Sequence, residues 1–176
     1  MMKKIFKFII GILILVLIII LTFNSYYNDR IEIQLIDCID GDTAWFRVND
    51  KKEKVRFLGI DTPESVHPNG IVEDYGKEAS DYTCNILKSA TKIELEYDIK
   101  SDEYDKYGRL LAWIFVDNNN LSELLLSKGY AEVNYIYNDY KYLDNLCIVQ
   151  YNAYQNKLGI WNSSNNYESN YCNKLK

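Results

Sequence analysis

Histidine is almost absent from this 176-residue chain: His67 is the single one. That excludes a histidine-rich metal centre. No CxxC pair or Cys/His cluster occurs among Cys38, Cys84, Cys147 and Cys172, which speaks against zinc as well. The sequence assigns no cysteine pairing; four unpaired thiols are expected, with Cys147 and Cys172 the first candidates for a bridge. Proline is scarce too. Both prolines, Pro63 and Pro68, fall in "DTPESVHPNGIVEDYG", which reads as a structured loop. Loops of that length in compact domains are usually functional or disordered, and His67, beside Pro68, reads as a surface residue of this one. Positive charge is in deficit: 20 Lys and Arg stand against 25 Asp and Glu, a formal charge of −5. Residues 1–29 hold three lysines and one aspartate, so the chain from Arg30 onward carries −7. So acidic a domain does not wrap nucleic acid broadly. A local cationic pocket remains compatible with it, as does a Ca²⁺ site in an extracellular setting.

Apolar sequence, by contrast, is concentrated at the start. Lys3, Lys4 and Lys7 precede an uncharged run to Phe23. A bilayer core takes about 20 apolar residues, roughly 17 at the lower end, and the run counted from Ile5 just spans it if Lys7 snorkels. "LTFNSYY" offers Ser25 after the bulky Phe23, a poor cleavage site, and no cysteine follows to mark a lipoprotein. The expectation is a membrane anchor over residues 1–23, with a cleaved signal as the competing reading. Either leaves the lysines inside and the rest of the chain outside the cell, tethered or secreted. Residues 24–30 read as a linker, 31–161 as one domain, and 162–176 as a loose polar tail.

Within the domain, "IEIQLIDCI", "TAWFRVN", "EKVRFLGI", "KIELEYDI" and "RLLAWIFVD" carry strand patterns. "GKEASDYTCNILKSA" has helical spacing. Asn120 caps "LSELLLSKG", which Gly129 closes, and "DYKYLDNLCIVQYNAYQNKLGIW" reads as a long terminal helix. Five strands in meander order, with a helix after the third and about three helices in all, predict an α+β fold built on a small five-stranded OB barrel.

Charge gathers at two strand ends, Asp40 and Asp42 in "IDGDT" and Asp61 and Glu64 in "IDTPE". Taken alone, each is an ordinary turn. Together they supply oxygen donors of the kind a hard cation such as Ca²⁺ takes. Arg56 lies among Val55, Phe57 and Leu58, where its charge is costly unless it is paired or faces a pocket, and Arg109 opens the fifth strand. Guanidinium groups grip phosphate bidentately. Two arginines, two metal-binding carboxylates and one free carboxylate are the parts of a phosphoryl-transfer site.

In their order and spacing, "IDGDT", "VRFLGIDTPES", "HP", "YGKEAS", "DKYGR" and "YIY" resemble the staphylococcal nuclease (thermonuclease) family, from about Ile31 to Trp161. The resemblance implies an OB-fold nuclease that uses Ca²⁺ to cut DNA and RNA with little sequence specificity, leaving 3′-phosphorylated products, and a monomer. Asp42 and Asp61 then resemble the metal carboxylates, and the Thr62 carbonyl a third ligand. Asp40 resembles a neighbour of the metal, and Glu64 the group that activates water. Arg56 and Arg109 resemble the phosphate clamps, and Lys106, Tyr107, Tyr135 and Tyr137 the residues around the nucleotide. The chain departs from the pattern in its acidity and in "HPNGIVED", which carries no lysine. A non-catalytic OB-fold nucleic-acid-binding module is the alternative; presence of Asp42, Arg56, Asp61, Glu64 and Arg109 together favours the enzyme. A structural Ca²⁺-binding surface protein would have no use for the two arginines.

Overall fold

The computed structural model describes residues 10–17, 30–65, 73–163, 167, 169 and 171–172. The chain divides into two units, Met1–Arg30 and Ile31–Lys176. In the first, residues 10–17 form a helix (α1) with exposed apolar side chains. The rest of the expected anchor lies outside the described residues, as does the linker before Arg30. Among the described residues no helix is long and apolar enough to cross a membrane.

In the second unit β-branched and aromatic residues build a mixed sheet. Its strands are β1 (Arg30–Glu32), β2 (Gln34–Cys38), β3 (Thr43–Val48), β4 (Lys51–Phe57), β6 (Ile93–Glu96) and β7 (Leu110–Val116), in the order β1-β6-β7-β4-β3-β2. The first expected strand is in fact two. Buried Ile33 sends its N–H to the Ile93 carbonyl, so the chain pairs with β6 on one side of this break and with β3 on the other. One bent segment thus joins both ends of the sheet, which is how a small barrel removes its open edges. The β3–β4 hairpin turns through Asn49 and Asp50, both at positive φ, the conformation of a tight hairpin that follows strand twist.

The third expected strand also differs. It does not run unbroken to Asp61: β4 ends at Phe57, Gly59 turns at φ 77°, and Ile60–Asp61 form a separate strand, β5, paired with β9 (Glu132–Val133). A Cβ on Gly59 would also sit 2.7 Å from Leu146. This break delivers Asp61 beside Arg56 instead of in line with it. A short β8 (Asn119–Asn120) pairs with β7.

Helix α2 (Gly76–Ser89) follows the loop, and α3 (Leu121–Ser127) starts where the Asn120 side chain accepts from Ser122 N–H, as expected for its cap. The terminal helix is shorter than its pattern predicted. α4 spans Leu143–Gln155, because Lys157 and Gly159 adopt positive φ and the chain re-enters as a single turn over Gly159–Trp161. The core lies between β7, α3 and α4, around fully buried Trp113, Phe46, Leu125 and Leu146.

The cysteines overturn the expectation of free thiols. Cys38 pairs with Cys84, joining β2 to α2, and Cys147 with Cys172. The second bridge is the one the sequence suggested first. It holds the described part of the tail on α4, where Tyr167 accepts from the buried Gln150 side chain and Cys172 is buried. The tail is therefore tied down at these positions rather than loose.

Candidate active site

Two strand ends and one strand interior converge. Arg56, on β4, is 7% exposed. Its Nη1 donates to the carbonyls of Phe57 and Ile60, and its Nη2 meets Asp61 Oδ1 at 3.0 Å and Asp42 Oδ2 at 3.1 Å. The two carboxylates foreseen as partners are thus neighbours around one guanidinium. Asp42 is held from every side. Thr62 donates to its Oδ2 through both N–H and hydroxyl, and Thr43 donates to its Oδ1. Its own N–H donates to Asp40. Gly41 fits between walls: a Cβ there would lie 2.6 Å from the Thr62 hydroxyl, while the Thr83 hydroxyl of α2 donates to the Gly41 carbonyl at 2.6 Å.

This cluster holds more negative than positive charge. Burial, reinforced by the Asp42 charge, pushes the Asp40 carboxyl up to about 6. Burial also raises Asp61 to about 6; Arg56 opposes the rise, and Asp42, Glu132 and Glu64 add to it. Both shifts favour the neutral acid, and a cation bound beside these carboxyls would oppose them. Among the described residues no three acidic, imidazole or thiol groups converge to cage a metal unaided. A metal held by Asp42 and Asp61 therefore also needs neutral oxygens such as the Thr62 carbonyl and water. That donor set is wholly oxygen, the chemistry of a hard cation.

Beside the cluster opens a cavity of about 460 Å³. Arg56, Arg109, Lys106, Tyr107, Tyr135 and Tyr137 all line it, so one space collects six of the residues singled out in the sequence. Arg109 is fixed by Asp105, which accepts from Arg109 Nε at 2.6 Å and from the N–H groups of Arg109 and Tyr107. Burial would raise the Asp105 carboxyl, but these hydrogen bonds outweigh it and hold the group below its usual range. Stacking orders the rest: Arg56 lies 5.3 Å from the Tyr135 ring centroid, Arg109 5.5 Å and Lys106 5.0 Å from that of Tyr107.

Glu64 is exposed, and its charge is felt at Asp61. Its backbone is clasped at two points, N–H to Glu73 Oε2 and carbonyl from Glu73 N–H. Gly76, at the start of α2, packs so closely that a Cβ would meet the Glu64 carbonyl at 2.4 Å. His67 lies outside the described residues. The sequence reading missed Asp105, Tyr104 and Tyr140, the last two also lining the cavity. The four-residue spacing of Asp105 and Arg109 was a signal for the first, whereas nothing local marks the tyrosines among sixteen in the chain.

Residues 54–163 match the model of a family described as staphylococcal nuclease homologues. The match includes Arg56, Asp61, Glu64, Arg109 and the cavity tyrosines; Asp40 and Asp42 precede it. The chain is 42% identical over 135 residues to endonuclease YncB of Bacillus subtilis (strain 168), which covers 76% of this chain and 63% of that protein. It is 41% identical over 141 residues to the SPbeta prophage-derived endonuclease YokF of the same organism, 80% of this chain and 47% of the relative. With the thermonuclease of Staphylococcus hyicus the identity is 38% over 130 residues, 74% of this chain and 75% of that one. The chain thus spans about half to two thirds of the two Bacillus proteins.

Proposed function

The chain belongs to the staphylococcal nuclease family, and from that premise we propose that it hydrolyses phosphodiester bonds of DNA and RNA with Ca²⁺ and releases 3′-phosphorylated products. The observation that carries this reading is the shared placement of Arg56: one guanidinium both bridges Asp42 and Asp61 and lines the cavity that Arg109 enters. Asp42, Asp61 and the Thr62 carbonyl would hold the Ca²⁺, which would supply charge neutralisation and Lewis-acid polarisation. Arg109 donates to the phosphate oxygens as negative charge grows on them, and Arg56, whose terminal nitrogens hold Phe57, Ile60, Asp42 and Asp61, adds its charge and its Nε–H. Asp105 occupies Arg109 Nε, and among the described residues no hydrogen bond engages its terminal nitrogens, which turns them to this use. Glu64, exposed and close enough to Asp61 for its charge to be felt there, takes a proton from the attacking water, whose oxygen bonds to phosphorus as the 5′ oxygen departs. Tyr107, Tyr135 and Tyr137 offer ring faces and hydroxyls to a base, contacts tolerant of sequence.

The apolar run before Phe23 supports an exported domain, tethered or secreted, where Ca²⁺ is plentiful and the cell's own genome is out of reach. The full-length chain incubated with DNA or RNA should cleave both in Ca²⁺ and neither in chelator, and the new 3′ ends should resist extension until treated with phosphatase. Undiminished cleavage in chelator would remove the metal from this account. Binding without any cleavage would return the chain to the alternative of a non-catalytic module.

A further inference from the structure

We propose that the outer face of the β3–β4 hairpin is a second nucleic-acid subsite, which holds a single-stranded segment and leads it to the cavity. The antiparallel register sets three pairs in a row, Arg47↔Lys52, Trp45↔Lys54 and Thr43↔Arg56. Alternate residues of a strand share a face, so Arg47, Lys52, Trp45 and Lys54 form a strip that continues into Arg56. The opposite face of the hairpin is core, with Ala44, Phe46, Val48 and Val55 buried. Arg47 and Lys52 are exposed, Trp45 and Lys54 half-buried. Lys52 Nζ stands 4.5 Å from the Trp45 ring centroid.

Charge complementarity and continuity with the site identify the occupant. The domain carries −7 from Arg30 onward, yet this strip holds three cations, none in an ion pair among the described residues. Across from Trp45 on β2 stands Asp37, and Asp42 and Asp61 flank Arg56 at the strip's end. A strip of cations around an exposed aromatic ring is what a single strand requires: phosphates meet Arg and Lys, and a base stacks on the ring. Lys52 covers the Trp45 ring in the free protein; an arriving base takes that place and the ammonium moves to a phosphate. From Lys52 to Arg56 the strand runs four residues, about 13 Å, so a chain bound along the strip arrives at the phosphate clamp. The direction of this path rests on the nuclease reading, whereas the binding itself does not.

The test uses the full-length chain and a fluorescein-labelled oligothymidylate of about 16 nucleotides, the upper site size of an OB fold. In chelator, anisotropy titrations over a range of salt should show Trp45→Ala binding about 5- to 150-fold more weakly than wild type. Arg47→Ser/Lys52→Ser/Lys54→Ser should flatten the salt dependence by about 2 in log–log slope, at roughly 0.7 per lost contact to a single strand. With Ca²⁺, kcat/KM on the oligonucleotide should fall in both variants. On a mononucleotide p-nitrophenyl diester, which fills the cavity alone, it should stay at the wild-type value, as should the melting temperature. Equal oligonucleotide affinity in wild type and variants overturns the subsite, and so does an equal loss on both substrates. Capture by phosphatidylglycerol vesicles without oligonucleotide binding overturns it too and assigns the strip to a membrane. Strip-dependent binding by a chain that cleaves neither substrate leaves the subsite standing and removes the nuclease reading.

Discussion

Arg56 and Arg109 do similar work in the proposed reaction but differ in what their loss does to the fold. Arg109 is partly exposed and tied to Asp105 on a surface turn. Arg109→Ala should lower turnover about 10²–10³-fold, the scale of a lost transition-state donor, with little change in urea midpoint. Arg56→Ala leaves buried Asp42 and half-buried Asp61 facing each other without a cation. It should cost about 3–5 kcal/mol in urea unfolding, and Ca²⁺ should restore part of that loss. Glu64→Gln keeps shape on an exposed side chain and should lose roughly 10²–10⁴ in turnover at unchanged stability; normal turnover in this variant would show that Glu64 is not the base. Asp40 and Asp61, raised from 3.8 to about 6, hold a proton more tightly folded than unfolded. Their contribution therefore weakens the Ca²⁺-free fold as pH climbs between those values and leaves it fully weakened above about 6. Ca²⁺ needs the ionised forms. The rise in melting temperature on adding Ca²⁺ should accordingly be largest near neutral pH and shrink as pH falls through 6; a shift independent of pH would detach these carboxyls from the metal.

At the scale of elements, α2 is what holds the Asp40–Asp42 turn. Thr83 donates to the Gly41 carbonyl, and the adjacent Cys84 is bonded to Cys38, two residues before Asp40. The Cys147–Cys172 bridge ties α4 to the tail instead. The bridges close 46 and 25 residues of sequence, so in the chain-entropy account each is worth about 3.5–4 kcal/mol. Stability alone does not separate them; metal affinity does. Cys38→Ser/Cys84→Ser should weaken Ca²⁺ binding in calorimetry at temperatures where the protein is folded, and Cys147→Ser/Cys172→Ser should leave it unchanged. Equal affinities in the two would make both bridges purely structural. The Thr83 and Cys84 contacts were invisible locally, because they join positions 42 and 46 residues apart.

At the scale of the whole molecule, the proposal of an exported domain rests on the apolar amino-terminal run. Three lysines before the run set the expected orientation. Protease added to intact cells should degrade the domain; protection until lysis would refute the orientation. Activity in the cell-free medium, with a new amino terminus near Tyr26, would decide for a cleaved signal over an anchor. Two disulfides are also what an oxidising, extracellular compartment allows.

The sequence by itself determined the fold class, the Asn120 cap and the family, and it named Asp42, Arg56, Asp61, Glu64 and Arg109 as the candidate site residues. Those are carried by periodicity, side-chain chemistry and motif order, all of which are local or linear. Only the tertiary structure decided what meets what. The break at Gly59 turns Asp61 toward Arg56, and the bend at Ile33 closes the barrel. Cys38 finds Cys84 across the β2–α2 contact. Tyr104 and Tyr140 enter the cavity beside the expected tyrosines, and the hairpin register aligns Arg47, Lys52, Trp45 and Lys54 with Arg56. Residue type says which groups can bind a phosphate or a metal; which of them share one space follows from chain crossings that a linear pattern does not encode.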